Sequence, residues 1–272
     1  YGIESEEFYV IKKPIQENNE IEKLIEREEY NYLHINHPLF PKFYGKTVNE
    51  NYMIIEFING HNLVDIKELK CSEKITIIYG IMLIIHYLHE NQFILRDLKP
   101  NNIMFDQTGS VVIIDFDRML QSQNIEEEFT VDLISAFIDP DATIGKISYK
   151  NDIYSLGKTI LYIINKKEPE VGEKEIDSNE IYNQIKILCN ECIGPVEERP
   201  SISALIYLML EICLPQLQFS IYQLFSITQQ QLGLMYFKEK NIDLAIFYFS
   251  KASDQNDEFS QYVLGNIYLN EK

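Results

Sequence analysis

The 272-residue chain contains 46% hydrophobic and 12% aromatic residues, a composition typical of a globular protein with a packed core. Its formal net charge of -18 excludes sequence-independent binding to nucleic acid or to an anionic membrane over most of the surface. The longest apolar run, residues 75–88, is interrupted by polar residues and is too short to cross a bilayer, so we predict a buried helix and no membrane span.

The first predicted elements are a strand at residues 8–11 and a helix at about 20–33. Aromatic and β-branched residues form the strand, and Lys12 follows it. Apolar residues recur at helical spacing through the second segment, and Glu28 lies on the same stripe. A carboxylate there is costly without a cation, so we expect Lys12 to approach it. The alternative is that Glu28 merely edges the stripe.

Two further short strands complete a small strand-rich region. We predict strands at residues 43–45 and 52–55, joined by a turn at 49–51. Residues 56–60 then form a connector, which we interpret as a hinge to a mostly helical remainder.

Residues 93–105 follow the predicted helix 75–88 and place Asp97, Lys99 and Asn102 in an apolar setting. The next predicted strand, 111–114, ends at Asp115, and a turn at 106–109 pairs the two segments as a hairpin. Two carboxylates, one amide and one ammonium therefore converge on a short hairpin.

These residue types suit phosphoryl transfer from a nucleotide. Lys12 can neutralise α- and β-phosphates while Glu28 fixes its ammonium, and Asn102 with Asp115 can hold Mg²⁺. In the same scheme Asp97 can accept the proton of an attacking hydroxyl, as a catalytic base. Lys99 can meet the γ-phosphate as charge moves onto it.

The rest of the chain is predicted to be a long loop followed by helices. Residues 118–150 show little periodicity, and a loop of that length is usually functional. Helices are predicted at 152–165, 178–192 and 201–213. The pattern Leu-Gly-x-x-Tyr at residues 232–236 recurs at 264–268, a self-similarity that indicates a helical-hairpin solenoid.

Several of these motifs resemble the eukaryotic protein kinase family, over about residues 1–213. Residues 95–102, Leu-Arg-Asp-Leu-Lys-Pro-Asn-Asn, are similar to its catalytic loop, and Asp-Phe-Asp at 115–117 is similar to its metal-binding Asp-Phe-Gly. Tyr-Val-Ile-Lys at 9–12 resembles its strand lysine motif. The resemblance implies an α+β, bilobal fold and a protein kinase that uses ATP and Mg²⁺.

The resemblance also assigns the remaining nucleotide contacts and the acceptor. Residues 55–58 are similar to the gatekeeper and adenine hinge, so Ile55, Glu56 and Ile58 are expected to bind ATP. Lys99, within Leu-Lys-Pro, is the pattern of kinases that act on serine and threonine in protein substrates.

Structural and regulatory roles follow from the same resemblance. Asp152 is expected to brace the catalytic loop, and Arg199 to pair with Asp141, the carboxylate of an Asp-Pro-Asp that replaces Ala-Pro-Glu. Arg96 implies an arginine that grips a phosphorylated activation loop. Thr130 is the candidate phosphosite, with two serines, Ser122 and Ser135, as competitors.

The sequence also departs from the family pattern. Leu95 replaces the histidine of the catalytic loop, Asp117 replaces a glycine, and no glycine-rich phosphate loop precedes Tyr1. We therefore expect an N-terminally truncated fragment that binds ATP poorly. These departures also favour an alternative function, that of a pseudokinase scaffold.

The tail has its own resemblance, to the Sel-one-like branch of the tetratricopeptide repeat superfamily. We predict a connector at residues 214–226 and partial repeats at 227–272, which implies binding of partner proteins. Four cysteines without a signal-like N-terminus favour a reducing compartment, the cytoplasm. Cys189 and Cys192 are expected to pack between helices rather than to bind metal.

Overall fold

The structure, a computed structural model, has mixed α/β content with small sheets and many helices. It describes residues 8–13, 19–35, 40–48, 52–106, 111–123, 135–143, 145–166, 178–213, 229, 233, 237, 242–254 and 257–270. The strands are β1 (Tyr9–Lys12), β2 (Phe43–Lys46), β3 (Met53–Glu56), β4 (Gly60–Asn62), β5 (Phe93–Ile94), β6 (Ile103–Asp106), β7 (Val111–Ile113) and β8 (Leu120–Gln121).

The described part of the chain contains eight helices. They are α1 (Asn19–His34), α2 (Cys71–Glu90), α3 (Pro140–Thr143), α4 (Tyr149–Ile164), α5 (Ser178–Cys192), α6 (Ile202–Cys213), α7 (Ile242–Ser253) and α8 (Glu258–Asn270). Five of them lie close to their predicted positions, and the predicted loop 118–150 contains one short helix, α3. Helix α2 extends beyond the predicted 75–88 at both ends, and α4 begins three residues before the predicted 152. Ser148 caps α4. Its hydroxyl oxygen accepts the Lys150 N–H, and the Ser148 backbone N–H donates to the side-chain oxygen of Asn151.

The first sheet has the antiparallel order β1-β3-β2 and carries Lys12. Lys12 lies opposite Met53, and Tyr9 lies opposite Glu56, at the start of the connector. Helix α1 lies beside this sheet: Tyr32 stacks on Phe43 with ring centroids 5.6 Å apart. Sheet and helix therefore bring the end of β1 and the Glu28 turn of α1 to one place.

The second sheet, in the order β4-β6-β7, positions the two ends of the predicted hairpin. Ile103 lies opposite Ile113, so Asn102 just before β6 and Asp115 two residues after β7 lie at the same end. The Ile114 N–H donates to the Asn102 carbonyl oxygen at 2.9 Å, which fixes this register. Strands β5 and β8 pair with each other, which joins the segment before the hairpin to the segment after it.

Helix α2 forms the centre of the core. Its residues Ile77, Ile78, Ile81, Ile84 and Ile85 have no exposed surface. Among the described residues it is the one helix long and apolar enough to cross a membrane, and 72% of that apolar window is buried inside the protein. Burial on nearly all sides is how a core helix of this composition is satisfied.

Helices α4 and α5 cross closely at a glycine. A Cβ on Gly157 would lie 2.7 Å from the Cys192 Cβ, so only glycine fits this crossing. Cys189 and Cys192 are buried free thiols there, which confirms the prediction of helix packing. Burial, with the nearby Glu191, raises the pKa of Cys192 to about 12, so the thiol stays protonated and unreactive.

The tail helices α7 and α8 pack on each other and join the main core. Ala245, Phe249 and Ala252 are fully buried, and Tyr248 belongs to the same hydrophobic cluster as α2. The side chain of Gln229 hydrogen-bonds to Tyr79 of α2. The described part of the tail therefore lies against the helical region rather than apart from it.

Candidate active site

The segment that resembles the family's catalytic loop is held by Asp152, a fully buried residue in the first turns of α4. Its carboxylate accepts the backbone N–H of Leu95 at 2.9 Å and of Arg96 at 2.8 Å. His89 Nε2 lies 3.0 Å from Asp152 Oδ2. Arg96 adopts a positive φ of 68°, a conformation that costs energy in a residue with a Cβ and that these hydrogen bonds hold in place.

Asp97 is buried, yet only one of its oxygens is engaged. Lys99 Nζ donates to Asp97 Oδ2 at 2.6 Å, and Asn102 Nδ2 donates to the same oxygen at 3.0 Å. Asn102 Nδ2 also reaches the Asp97 carbonyl oxygen at 3.0 Å. No described residue donates a hydrogen bond to Asp97 Oδ1, although that atom is buried. Two fixed bonds thus orient the carboxylate and leave one oxygen for a proton.

Lys12 meets two carboxylates from different parts of the chain. Its Nζ lies 2.7 Å from Glu28 Oε1 and 2.6 Å from Asp115 Oδ1. The predicted approach of Lys12 to Glu28 is therefore confirmed, and the alternative of an edge position is wrong, because Glu28 is only 1% exposed. Glu28 Oε1 also accepts the Phe116 N–H at 3.3 Å.

The pKa values of this group reflect burial and pairing. Burial lowers the pKa of Lys12, but the negative charges of Glu28 and Asp115 outweigh it and leave the pKa above its usual value. Burial raises the pKa of Glu28, and Lys12 only partly reverses that effect. Lys12 therefore stays a cation at neutral pH.

Asp115 and Asp117 lie next to Asp97. Each of the three carboxylates offers one oxygen, and these oxygens lie within 4.8 Å of one another. Asp115 has a positive φ of 72°. Burial raises the pKa of Asp117, and the charge of Asp115 raises it further. In Asn102 the amide nitrogen makes both described bonds, which leaves the amide oxygen as the atom that could face a cation.

Asn31 was missed by sequence analysis, although it connects α1 to the segment after β7. Its buried amide donates to the carbonyl oxygens of Phe116 and Met119, both at 2.8 Å. The Phe116 ring packs edge-on against Tyr32. The available signal was spacing, since Asn31 follows Glu28 by three residues and so shares its helix face.

The predicted adenine contacts lie in β3 and the connector. Ile55 is 8% exposed and lies opposite Val10 of β1, and Glu56 bonds the Lys42 N–H through its side chain at 3.0 Å. Ile58 is half-buried in the connector after β3. The structure thus brings Ile55 and Glu56 beside the strand that carries Lys12, and the contact of all three residues with ATP stays a prediction.

The predicted pairing of Asp141 with Arg199 is wrong. Arg199 Nη1 lies 2.5 Å from Asp139 Oδ2, and Nη2 lies 3.2 Å from Oδ1, in a two-pronged bond with both side chains at most 4% exposed. Asp141 instead lies 3.7 Å from the exposed Lys146. Asn151 Nδ2 adds a third donor to Asp139 at 2.6 Å.

The physical reason for this correction is the start of α3. The Asp141 N–H donates to Asp139 Oδ1 at 3.1 Å, so Asp139 caps the short helix that contains Asp141. Burial raises the pKa of Asp139, but hydrogen bonds from Arg199 and Asn151 outweigh it and leave the pKa below its usual value.

The structure describes only one of the two regulatory candidates, Arg96 and Thr130. Arg96 is 7% exposed, and its Nη1 donates to the Arg118 carbonyl oxygen at 3.3 Å, which brings it to the segment after Asp117. Thr130 lies outside the described residues.

Comparison with known proteins identifies the family. Residues 2–226 match the family model of the protein kinase domain, a match that runs through the predicted connector 214–226. The chain is 30% identical over 186 residues to serine/threonine-protein kinase D of Synechocystis, covering 61% of this chain and 37% of that protein. It is 27% identical over 168 residues to serine/threonine-protein kinase PrkC of Bacillus subtilis, covering 58% of this chain and 26% of the relative.

A eukaryotic relative shows the same pattern. The MAP kinase kinase MKK1/SSP32 of Saccharomyces cerevisiae is 34% identical over 147 residues, covering 49% of this chain and 28% of that protein. The chain thus spans less than two fifths of the length of each of these three relatives. The extent of the family match, together with the geometry around Asp97 and Lys12, shows that this chain belongs to the protein kinase family.

Proposed function

We propose that this chain is the catalytic region of a serine/threonine protein kinase, which transfers the γ-phosphate of ATP to hydroxyl groups of proteins. The observation that carries the proposal is the state of Asp97: two donors orient its Oδ2, and its buried Oδ1 has no donor among the described residues. A carboxylate oxygen kept in this way can accept the proton of an attacking hydroxyl.

The other residues fit the nucleotide. Lys12, fixed between Glu28 and Asp115, supplies a positive charge for α- and β-phosphates. Lys99 bonds Asp97 while it is 28% exposed, so it can also reach a γ-phosphate. Ile55, Glu56 and Ile58 are proposed to line the adenine position. These groups bind and orient; Asp97 alone handles the proton.

The oxygen donors fit Mg²⁺. Asn102 and Asp115 offer amide and carboxylate oxygens, which are the ligands that Mg²⁺ prefers. When bound, the ion neutralises charge that develops on the phosphates during transfer. The choice of serine or threonine as acceptor is supported by Lys99 and by the names of the two bacterial relatives.

A comparison of the wild type with three variants tests the catalytic proposal. In the full-length protein, Asp97→Asn should reduce Mg²⁺-dependent phosphate transfer to a serine/threonine substrate by about 10²–10⁴-fold, because the proton acceptor is lost. Asp115→Asn should also abolish most transfer, through weaker metal binding. Asp254→Asn, the same change at an exposed site in the tail, is the matched control. Equal incorporation by all of these proteins would overturn the proposal.

The tail is proposed to form partial Sel-one-like repeats for partner proteins. We assign residues 1–213 to the kinase domain, 214–226 to a connector and 227–272 to these repeats. In support, α7 and α8 pack on each other. A Cβ on Gly233 would lie 2.7 Å from the Phe249 ring, the close approach that small residues permit in such hairpins. Exposed Phe247 and Tyr262 offer a surface for a partner.

A pseudokinase scaffold is the second candidate function. It is favoured by Leu95, which is 1% exposed where the family has a histidine, and by Asp117 beside the metal ligands. Under this alternative the protein would act through partner binding, and Asp97→Asn would change neither phosphate incorporation nor partner capture. We further propose a cytoplasmic location, which four free, buried cysteines support.

A further inference from the structure

Asn31 is a buried polar residue on helix α1, and its side chain reaches a segment far along the chain. It is 1% exposed, as is Glu28 one turn earlier on the same helix face. Burying an amide is costly unless hydrogen bonds satisfy it. The amide nitrogen of Asn31 has two N–H groups to donate, and it donates to the carbonyl oxygens of Phe116 and Met119. Both donors of this side chain are thus used on the segment that follows Asp115.

The two acceptor oxygens lie at the ends of a tight turn. The Met119 N–H donates to the Phe116 carbonyl oxygen at 3.2 Å, which closes the turn over residues 116–119. Asn31 donates to the carbonyl oxygen at each end, in both cases at 2.8 Å. One side chain therefore ties both ends of the turn to α1, and a rotation of the turn would break at least one of these bonds.

Helix α1 also holds the peptide group between Asp115 and Phe116. Glu28 Oε1 accepts the Phe116 N–H at 3.3 Å, while Asn31 binds the Phe116 carbonyl oxygen. Two residues one helical turn apart therefore hold the peptide groups on both sides of Phe116. Asp115, the residue just before, has a positive φ of 72°, a conformation that costs energy in a residue with a Cβ. The bonds from α1 fix the backbone that follows this strained residue.

Apolar packing alone would not supply this orientation. The Phe116 ring is buried and packs edge-on against Tyr32, with ring centroids 4.8 Å apart, and against Phe40, at 5.1 Å. Such contacts keep the segment near α1, but the hydrophobic effect is non-directional. Hydrogen bonds depend on angle as well as distance, so the two Asn31 bonds add a fixed orientation of the backbone.

We propose that Asn31 is a positioning residue that aims the Asp115 carboxylate at the proposed Mg²⁺ position. It acts through the backbone of residues 116–119, to which both of its N–H groups are bonded. Removing a partner that orients a metal ligand from outside the coordination shell typically costs about 10–100-fold in metal affinity or activity. The inference rests on the proposed function for the role of Asp115 as a metal ligand.

The Mg²⁺ dependence of phosphate transfer separates positioning from a loss of folded protein. The full-length wild type is compared with Asn31→Leu, which keeps the approximate size of the side chain but removes both donors. Asn183→Leu, the same change at an exposed site on α5, is the matched control. We expect Asn31→Leu to raise the Mg²⁺ concentration for half-maximal transfer by at least about tenfold, with recovery in excess Mg²⁺ and an unchanged KM for the protein substrate. The same fractional loss at every Mg²⁺ concentration would overturn the inference.

Hydrogen exchange of the nucleotide-free proteins gives a second readout, which needs no activity. The backbone N–H groups of residues 116–119 should lose protection in Asn31→Leu, while those of α4 should exchange as in the wild type. An equal loss of protection in α4 would mean general destabilisation and would overturn the inference. Asn31→Ala also removes both donors, and it carries both measurements if thermal melting shows that Asn31→Leu does not fold.

The two readouts separate this inference from the proposed function. If the wild type transfers phosphate, and the Asn31 variants match it in Mg²⁺ requirement and in exchange, the inference is overturned and the kinase function stands. If the wild type transfers no phosphate, a loss of protection confined to residues 116–119 still supports the action of Asn31 on the backbone next to Asp115.

Discussion

Two ion pairs in this fold differ in how deeply their side chains are buried. Lys12 contacts Glu28 and Asp115, and its side chain is 34% exposed. Arg199 contacts Asp139 through two nitrogens, and both side chains are at most 4% exposed. Both pairs join residues that are distant in the chain, but only the first contains side chains that are partly exposed to solvent.

The difference shows how burial separates a binding charge from a structural one. Lys12, which we propose to present its ammonium to the nucleotide phosphates, is shared between two carboxylates and remains partly exposed. Arg199 has its donors used up within the protein: besides Asp139, its Nε reaches the Gly194 carbonyl oxygen at 3.0 Å and Nη1 reaches that of Lys150 at 3.0 Å. This second pair ties the start of α3 to α4 and to the segment before α6.

Breaking the buried Arg199–Asp139 pair, the closed pair, should have the largest effect on stability. Asp139→Ala leaves the Arg199 guanidinium buried without its carboxylate, and loss of one partner of such a pair costs about 3–5 kcal/mol. We expect the free energy of unfolding, measured by urea denaturation at pH 7, to fall by that amount. A loss below about 1 kcal/mol would mean that the pair is not structural.

The pH dependence checks the same pair. The pKa of Asp139 is held below its usual value, so its contribution is complete above the unfolded pKa of about 3.9 and is lost as pH falls through the lower folded value. The difference in unfolding free energy between wild type and Asp139→Ala should therefore shrink only below about pH 4. A difference that stays constant into strong acid would contradict this cause.

Removing the partly exposed contacts of Lys12 with Glu28 and Asp115, the open pair, should affect catalytic activity more than stability. Lys12→Met deletes the charge proposed for the phosphates, and loss of one such group lowers phosphate transfer by about 10²–10³-fold. Glu28 is left without its cation, but its pKa is already raised by burial, so it can take up a proton. We therefore expect a smaller change in unfolding free energy than for Asp139→Ala, measured in the same denaturant. A loss of stability as large as that of Asp139→Ala would remove the distinction between the pairs.

Sequence patterns predicted the open pair because two independent signals coincided. Helical spacing placed Glu28 on a buried stripe, and Lys12 ended the preceding strand. Each residue therefore offered the opposite charge that the other needed. The hairpin likewise predicted that Asn102 and Asp115 would lie together, since strand pairing fixes both ends at once. Local periodicity is strong in these segments, and tertiary packing did not override it.

The closed pair was assigned to the wrong carboxylate because a motif gives residue order but not geometry. Asp139 and Asp141 flank the same proline, and both carry a charge that Arg199 could use. The choice depends on the Asp141 N–H and on the Asn151 amide, which donate further hydrogen bonds to the Asp139 carboxylate. Asn31 was missed for a similar reason: its partners are backbone oxygens 85 and 88 residues away, which no side-chain pattern records.

The smallest effect is expected for Asp141→Asn, which is the matched control for Asp139. Asp141 is 31% exposed and lies 3.7 Å from Lys146, which is 69% exposed, and such surface pairs contribute about 0–1 kcal/mol. The substitution keeps the backbone N–H that Asp139 uses to cap α3, so the buried pair should be untouched. Urea denaturation should therefore give an unfolding free energy close to wild type. A loss of several kcal/mol, similar to that of Asp139→Ala, would mean that Asp141 holds Arg199 in solution, as the family motif alone predicted.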